Sequence, residues 1–288
     1  MSLQTRSSLQ GAWLVLPATL VVGLVLVVPT LLLMRQSLNA FDPVEIAREG
    51  FTLENYQRFF TDAYYRGVFF TTLKTAALCT LLGLLLGFPV AYRLARSRSG
   101  YKTLWLFLIF FPLLVGNTVR AAGWMALLGN TGIVNAMLGA LGLIDAPLRL
   151  MYTPLAVVLG TTSVILPFMI LTLHSVLEGI DLSLEEAAAN LGASGWTGFR
   201  RVVLPLALPG VAAGVVLVFV MCMNAYATPV LLGGAGMTMM TPVLYSQITN
   251  LSNWPFGSAL ASILLCATLL CAVGANSFIS RRYYRRAS

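Results

Sequence analysis

The chain has 288 residues, 58% of them hydrophobic and only 10% charged, against roughly 25% charged in a soluble domain. So few polar groups cannot cover a soluble surface, so a soluble globular protein is excluded and lipid is the solvent. The net charge of +8 comes largely from short basic clusters beside apolar runs (Arg93, Arg96, Arg98 and Lys102, then Arg281, Arg282, Arg285 and Arg286); this is a positive-inside pattern suited to anionic lipid headgroups, and it argues against nucleic acid as a partner.

Six apolar stretches near the ~20 residues needed to cross a bilayer predict an all-α polytopic membrane protein, with residues 1–288 as one transmembrane domain. The first, 12–34, is preceded by a single Arg6, is too long for a signal-peptide core, and has no small-residue cleavage site after it. It reads as a retained helix. Residues 52–60 place Leu53, Tyr56, Phe59 and Phe60 at helical spacing, which predicts a short amphipathic helix on the external surface. The second and third spans are 68–92 and 103–127, the latter containing Arg120, and the fourth is 152–176. A polar stretch then leads to a fifth span at 207–230. No charged residue occurs from Val202 to Ser280, and Pro229, Gly233, Gly234, Gly236 and Pro242 interrupt that run. An uncharged external segment, 231–256, carrying Tyr245, Gln247 and Trp254, is expected at the membrane interface before a sixth span at 257–280.

Lys/Arg bias sets the orientation. The loop from Arg35 to Arg66 mixes Asp42, Glu45, Glu49, Glu54 and Asp62 with Arg35, Arg48, Arg58 and Arg66, whereas 93–102 and the C-terminal tail each hold four basic residues and no acid. Both termini and the loops at 93–102 and 177–206 are therefore expected in the cytoplasm. Cys79, Cys222, Cys266 and Cys271 all lie in apolar runs without metal-ligand spacing and read as small core or lipid-facing residues.

The most patterned stretch is Glu186 to Pro205, E-A-A-A-N-L-G-A-S-G-W-T-G-F-R-R-V-V-L-P. Ser183 with Glu186 predicts a capping box, Gly192 a left-handed helix end, Ser194 the start of a second helical segment, and Pro205 its end at the entry to the fifth span. Glu186-Ala187-Ala188, three residues, Gly192, nine residues, then Val202-x-Leu204-Pro205 resembles the EAA loop of type I ABC importer permeases, departing only in Val202 where that consensus prefers Ile. The resemblance implies that the loop, about 181–206, docks on an ATPase subunit. It gives Glu186 the engaging role, makes Ala187, Ala188 and Gly192 the positions of close approach, and includes Leu204 and Pro205 in the motif. It also implies two ATPase subunits, a second homologous permease and a periplasmic substrate-binding protein as partners, in the bacterial inner membrane. This chain would bind no cofactor, ATP and Mg being held by the ATPase.

Residues 119–135, 166–171, 224–234 and 253–259 are similar to the spermidine/putrescine-type permeases, especially their B-type subunit. That resemblance implies half of a heterodimer and a small hydrophilic cargo of the polyamine or amino-acid-derivative class; related permeases are assigned to iron and other small solutes. A polyamine favours carboxylates or aromatic faces along its path, yet the predicted spans contain no Asp or Glu, while Lys74 and Arg120 lie in or near them. Either the partner permease supplies the acids or the cargo is another solute. Arg120 is either functional or an anchor at the external interface, the anchor being favoured because snorkelling is cheap there. Asn117, Trp124, Asn224, Tyr226 and Tyr245 are the candidates for a substrate path, with helix packing as the competing role of each. His174, the single histidine, reads as a satisfied interfacial residue. No G-x-x-x-x-G-K-[ST] phosphate cradle and no G-x-S-x-G elbow occurs. A membrane-integral enzyme would need clustered acids, His or Ser within the spans, and an autonomous channel would have no use for the loop at 181–206.

Overall fold

In the computed structural model the backbone is described for residues 4–42, 50–97, 100–234 and 236–287, with side-chain surroundings between 15 and 274. Glu45, Arg48, Glu49 and Arg98, used above for orientation, lie outside the described residues, as do the side chains of the C-terminal arginines. The described residues form helices joined by turns, without a strand among them. By their contacts they divide into two units, residues 1–62 with 244–263 and residues 63–243 with 264–288.

In the first unit, α1 (Gln4–Gln36) contains Pro17 and Pro29. Its apolar part, Val15–Gln36, buries none of its side chains, so this span offers its surface to lipid or to another chain. The predicted amphipathic helix is α2 (Glu54–Thr61). Phe59 is buried, whereas Leu53 and Phe60 are exposed. Tyr56 Oη lies 2.6 Å from Ser37 Oγ, and Asn55 Nδ2 donates to the carbonyls of Ser37 and Asn39 at 2.9 Å each. These bonds hold α2 against the end of α1. The guanidinium of Arg58 lies 4.6 Å from the Phe256 ring centroid, a cation–π contact.

The second unit contains α3 (Ala63–Ala95), α4 (Lys102–Leu114), α5 (Asn117–Leu128), α6 (Ile133–Ala140), α7 (Pro154–Glu178), α8 (Leu182–Asn190), α9 (Gly195–Gly198), α10 (Leu204–Met223) and α11 (Ala227–Gly233). Helices α3, α7 and α10 pack on one another around fully buried Ile165, Met169 and Leu173. Small residues permit this closeness. A Cβ on Gly83 would lie 2.8 Å from Ile165 Cδ1, and one on Gly210 would lie 2.2 Å from Val176 Cγ2. A second apolar cluster gathers Leu128, Met151, Val157, Leu232, Met237 and Met239.

Among the described residues five helices are long and apolar enough to cross a membrane, and there are six crossings if the bent pair Lys102–Leu114 and Asn117–Ala140 is one span. The expected third span, 103–127, falls on that pair: α4 stops at Leu114, and the chain turns by 96° before α5. Arg120 gives Nη2–H bonds to the carbonyls of Pro112 and Val115, at 2.5 and 3.0 Å, groups left without helical partners where α4 ends. Arg120 is thus a staple on the broken helix end. The fifth span, expected at 207–230, runs instead from Gly195 to Met223; Asn224 to Tyr226 break it before α11. Segment 231–256 holds α12 (Met240–Thr249) and leads into α13 (Trp254–Ala287); it buries Met237, Met239, Met240, Gln247 and Asn253 and exposes Tyr245 and Trp254. Of the free cysteines, Cys79 and Cys222 are buried and Cys266 is exposed.

Candidate functional site

The patterned loop folds as two short helices meeting at a glycine. Asp181 rather than Ser183 caps α8: its Oδ1 accepts from Ser183 N at 2.9 Å, and this bond holds its carboxyl below the usual range. The capping box expected at Ser183 and Glu186 is therefore displaced by an extended Asp just upstream, a stronger acceptor for the orphan amides. At the other end Gly192 adopts φ +82°. Ala193 N donates to Ala188 O and Gly192 N to Ala189 O, at 3.0 and 2.9 Å, the paired bonds of a Schellman end, where a β-carbon is disfavoured. Ser194 then caps α9 through Thr197 N, at 3.3 Å.

A π-helical turn, Phe199–Val203, joins α9 to α10, closed by Leu204 N–H donating to Phe199 O. Pro205 does not end a helix, as the sequence reading had it. It occupies the first turn of α10, where a missing N–H is tolerated, and the wider π turn before it keeps the chain helical into the span.

Three elements hold this loop to the rest of its unit. Glu185, half-buried on α8, pairs with Arg96 at 2.6 Å and accepts from Tyr92 Oη at 2.8 Å. Arg96 Nη1 also donates to the carbonyls of Leu177 and Ile180, at 3.0 Å each, satisfying the end of α7. Phe199 packs edge-on against Phe88 and Tyr92, with ring centroids 5.6 and 5.5 Å apart, and stacks on Trp196 at 5.5 Å. Glu186 and Ala187 are exposed and Ala188 is half-buried. Leu191 is 89% and Trp196 70% exposed, so two large apolar side chains project beside Glu186, Arg200 and Arg201. A concavity of about 570 Å³, lined by Ala188, Leu191, Gly192, Thr197 and Arg201 among others, opens on this face. Leu204 and Pro205 are half-buried at the base of α10.

Of the five path candidates, Asn117, Asn224 and Tyr226 line a single cavity of about 300 Å³ with Thr161, Met221 and Thr228. It forms where both broken spans release their backbone. Asn224 Nδ2 donates to Val220 O at 2.8 Å, and Thr161 Oγ1 is buried without a hydrogen-bond partner among the described residues. No carboxylate lines the cavity. Trp124 does not: its Nε1 donates to Ser163 Oγ at 2.8 Å, which makes it a strut between α5 and α7. Tyr245 belongs to the first unit and is not among the lining residues. His174 is buried, with Nδ1 3.7 Å from Glu178 Oε2 and no partner at Nε2 among the described residues, so its ring is not fully satisfied as expected. No group of three potential metal ligands occurs among the described residues.

Residues 50–284 match the model of the family described as binding-protein-dependent transport system inner membrane component. The chain belongs to that family. This permease is 35% identical over 258 residues to the spermidine/putrescine transport system permease protein PotB of Haemophilus influenzae, covering 88% of this chain and 90% of that one. It is 37% identical over 243 residues to PotB of Escherichia coli, covering 84% and 88%. Its fold matches a chain of the bacterial alginate ABC transporter in complex with alginate pentasaccharide-bound periplasmic protein, with a TM-score of 0.80, 17% identity, and 96% and 97% of the two chains covered. Fold and family together make this permease an all-α inner-membrane component of a type I ABC importer.

Sequence reasoning missed four residues of the site. Arg96 was counted only as a positive-inside charge, and Glu185 was overlooked beside Glu186, although one acid of a pair one residue apart on a helix must face away from the other's partner. Tyr92 and Thr161 lie within apolar runs and gave no local signal.

Proposed function

We propose that this permease moves a polyamine-class solute across the inner membrane, with residues 181–206 coupling it to a separate ATPase. The observation that carries the coupling is the helix–Gly192–helix knob, which projects Leu191 and Trp196 beside Glu186 while Glu185 and Phe199 hold it to α3. Exposed large apolar residues rimmed by charges mark a protein-binding surface. In this reading Glu186 engages the ATPase, Ala187, Ala188 and Gly192 allow close approach, and Leu204 and Pro205 carry the movement into α10. ATP and Mg reside on the ATPase. A second permease completes the pathway and a periplasmic binding protein delivers the cargo; the basic loop 93–102 and both termini face the cytoplasm.

The polyamine class rests on the identity to the PotB proteins and on the cavity's chemistry. Asn117, Asn224, Tyr226 and Thr161 offer neutral oxygens to ammonium groups. An aromatic face at Tyr226 suits the same cation. The described lining of the cavity holds no carboxylate, so in this reading the acids that a polyvalent cation favours come from the second permease.

The test is transport by the complete complex in proteoliposomes, driven by its binding protein. Spermidine or putrescine should bind that protein in calorimetry and be taken up, and both Gly192→Val and Glu186→Arg should assemble but fail to transport. A binding protein that ignores polyamines and takes molybdate or a sugar would remove the cargo assignment. Normal transport by both variants would remove the coupling role.

A further inference from the structure

Coupling requires that a push on the knob reach the spans without the knob pivoting. Gly192 lies between α8 and α9, and a glycine at φ +82° with open space around its missing Cβ is a place where the two halves can hinge. The α9 half is held by Phe199 in its aromatic contacts. The α8 half has no comparable apolar anchor, since α8 buries no residue. What holds it is ionic.

We propose that the Glu185–Arg96 ion pair, completed by Tyr92, is the positioning device that locks α8 to the ends of α3 and α7 so that movement of the coupling loop becomes movement of the spans. The proposal rests on the coupling role given to this loop above. One guanidinium meets three elements: it follows directly on the end of α3, pairs with the carboxylate of α8, and donates to two carbonyls at the end of α7. Helix C-termini favour a cation at that place. The pair is largely withdrawn from water, with 13% and 22% side-chain exposure, so it keeps strength that an exposed pair loses. Tyr92 joins the two halves: its hydroxyl donates to Glu185 and its ring packs on Phe199. Nearby, Lys102 and Glu178 pair at 2.6 Å, with Glu178 51% exposed; that pair links α4 to α7 without touching α8 and serves as the control.

The experiment uses the complete complex, with its second permease, ATPases and binding protein, in proteoliposomes, and reads cargo transported per ATP hydrolysed. Glu185→Gln and Arg96→Gln should each lower that ratio about tenfold, the loss expected when a charge-assisted bond is removed. Tyr92→Phe should lower it by about threefold, and Lys102→Gln should leave it unchanged. Arg96→Lys, which keeps a cation beside Glu185 and the carbonyls of Leu177 and Ile180, should retain a substantial part of the coupling, which a mere packing role would not produce. If Arg96→Gln prevents assembly, Glu185→Gln and Tyr92→Phe decide. A wild-type ratio in both of these variants would overturn the proposal, as would an assembled Arg96→Lys variant that does no better than Glu185→Gln. Failure of the coupling reading itself is separable: it shows as normal transport by Gly192→Val and Glu186→Arg, whatever the Glu185 variants do.

Discussion

The coupling loop and the cavity at the broken spans are built on opposite principles. The loop is charged, locally folded and exposed: Asp181 and Ser194 cap its helices, Gly192 turns it, and Glu185 ties it down. The cavity is neutral, open at Asn117, Asn224 and Tyr226, and assembled from distant segments, with Asn117 from α5, Thr161 from α7 and Asn224 from the end of α10. A part that must transmit force gains from a few strong directional contacts. A part that must release its cargo gains from several weak ones. If the division is real, variants at the loop should change the cargo moved per ATP and leave apparent affinity alone, while variants at the cavity should do the reverse.

The largest effect is expected between the two. Helix α10 begins at the loop and ends at the cavity, and it reaches α7 through Gly210, where a β-carbon would meet Val176 at 2.2 to 2.6 Å. Gly210→Val should therefore force α10 off α7, with a loss of at least the ~1–3 kcal/mol typical of overpacking. It should abolish assembly as judged by size-exclusion and thermal unfolding. Adding Val176→Gly should restore the complex if the close contact, and nothing else about Gly210, is responsible. Full stability of the single variant would show that the two regions are less rigidly joined than their packing requires.

A smaller effect sharpens the contrast from the cavity side. Thr161 buries its hydroxyl without a partner among the described residues, so Thr161→Val, nearly the same shape, should leave folding unchanged or improve it. The same change should raise the apparent KM for cargo by about two- to tenfold, the worth of one net hydrogen bond, at an unchanged ratio of cargo to ATP. A fall in that ratio instead would mean that the cavity takes part in coupling and that the division is wrong.

How far each region was legible in sequence follows the same line. The loop's signals are local: glycine at 192 and serine at 194 stand where backbone chemistry requires them, and the spacing to Leu204-Pro205 survives in the fold. The errors there were also local. An extended Asp181 outcompeted Ser183 as cap, and a π turn let Pro205 continue a helix it was expected to end. The cavity was only half visible. Asn117, Asn224 and Tyr226 could be picked as polar residues among apolar ones, but nothing in the order of residues says that the chain turns by 96° between α4 and α5 and brings the start of α5 beside the end of α10. Arg120 shows why. Its position was plain, but its use, supplying donors to carbonyls five and eight residues back, depends on a bend that hydropathy does not record. Trp124 and Tyr245 were chosen on the same grounds as Tyr226; Trp124 braces α5 against α7 through Ser163, and Tyr245 lies in the other unit.

The smallest expected effect concerns the cap of α8. Asp181 accepts a hydrogen bond from Ser183 N, which favours its charged form and depresses its pKa below the ordinary value. For a depressed carboxyl, the stabilisation is present in full above the unfolded pKa and is lost as pH falls through the lower, folded one. The cap should therefore be intact at neutral pH and remain so in a mildly acidified medium, giving way only below the ordinary carboxylate range. Asp181→Ala should speed amide exchange at Ser183 and Leu184 at neutral pH, whereas Asp181→Asn, an equally good cap, should not. Because Glu185 still ties α8 to Arg96 in both variants, transport should fall by less than about twofold in Asp181→Ala, the loss of a single exposed cap being modest. A larger fall would shift weight from the ion pair to the cap as the element holding α8 in place. Equal exchange in the alanine and wild-type proteins would mean that α8 is held by its tertiary contacts alone, the limit in which the contrast between a locally folded loop and a globally assembled cavity disappears.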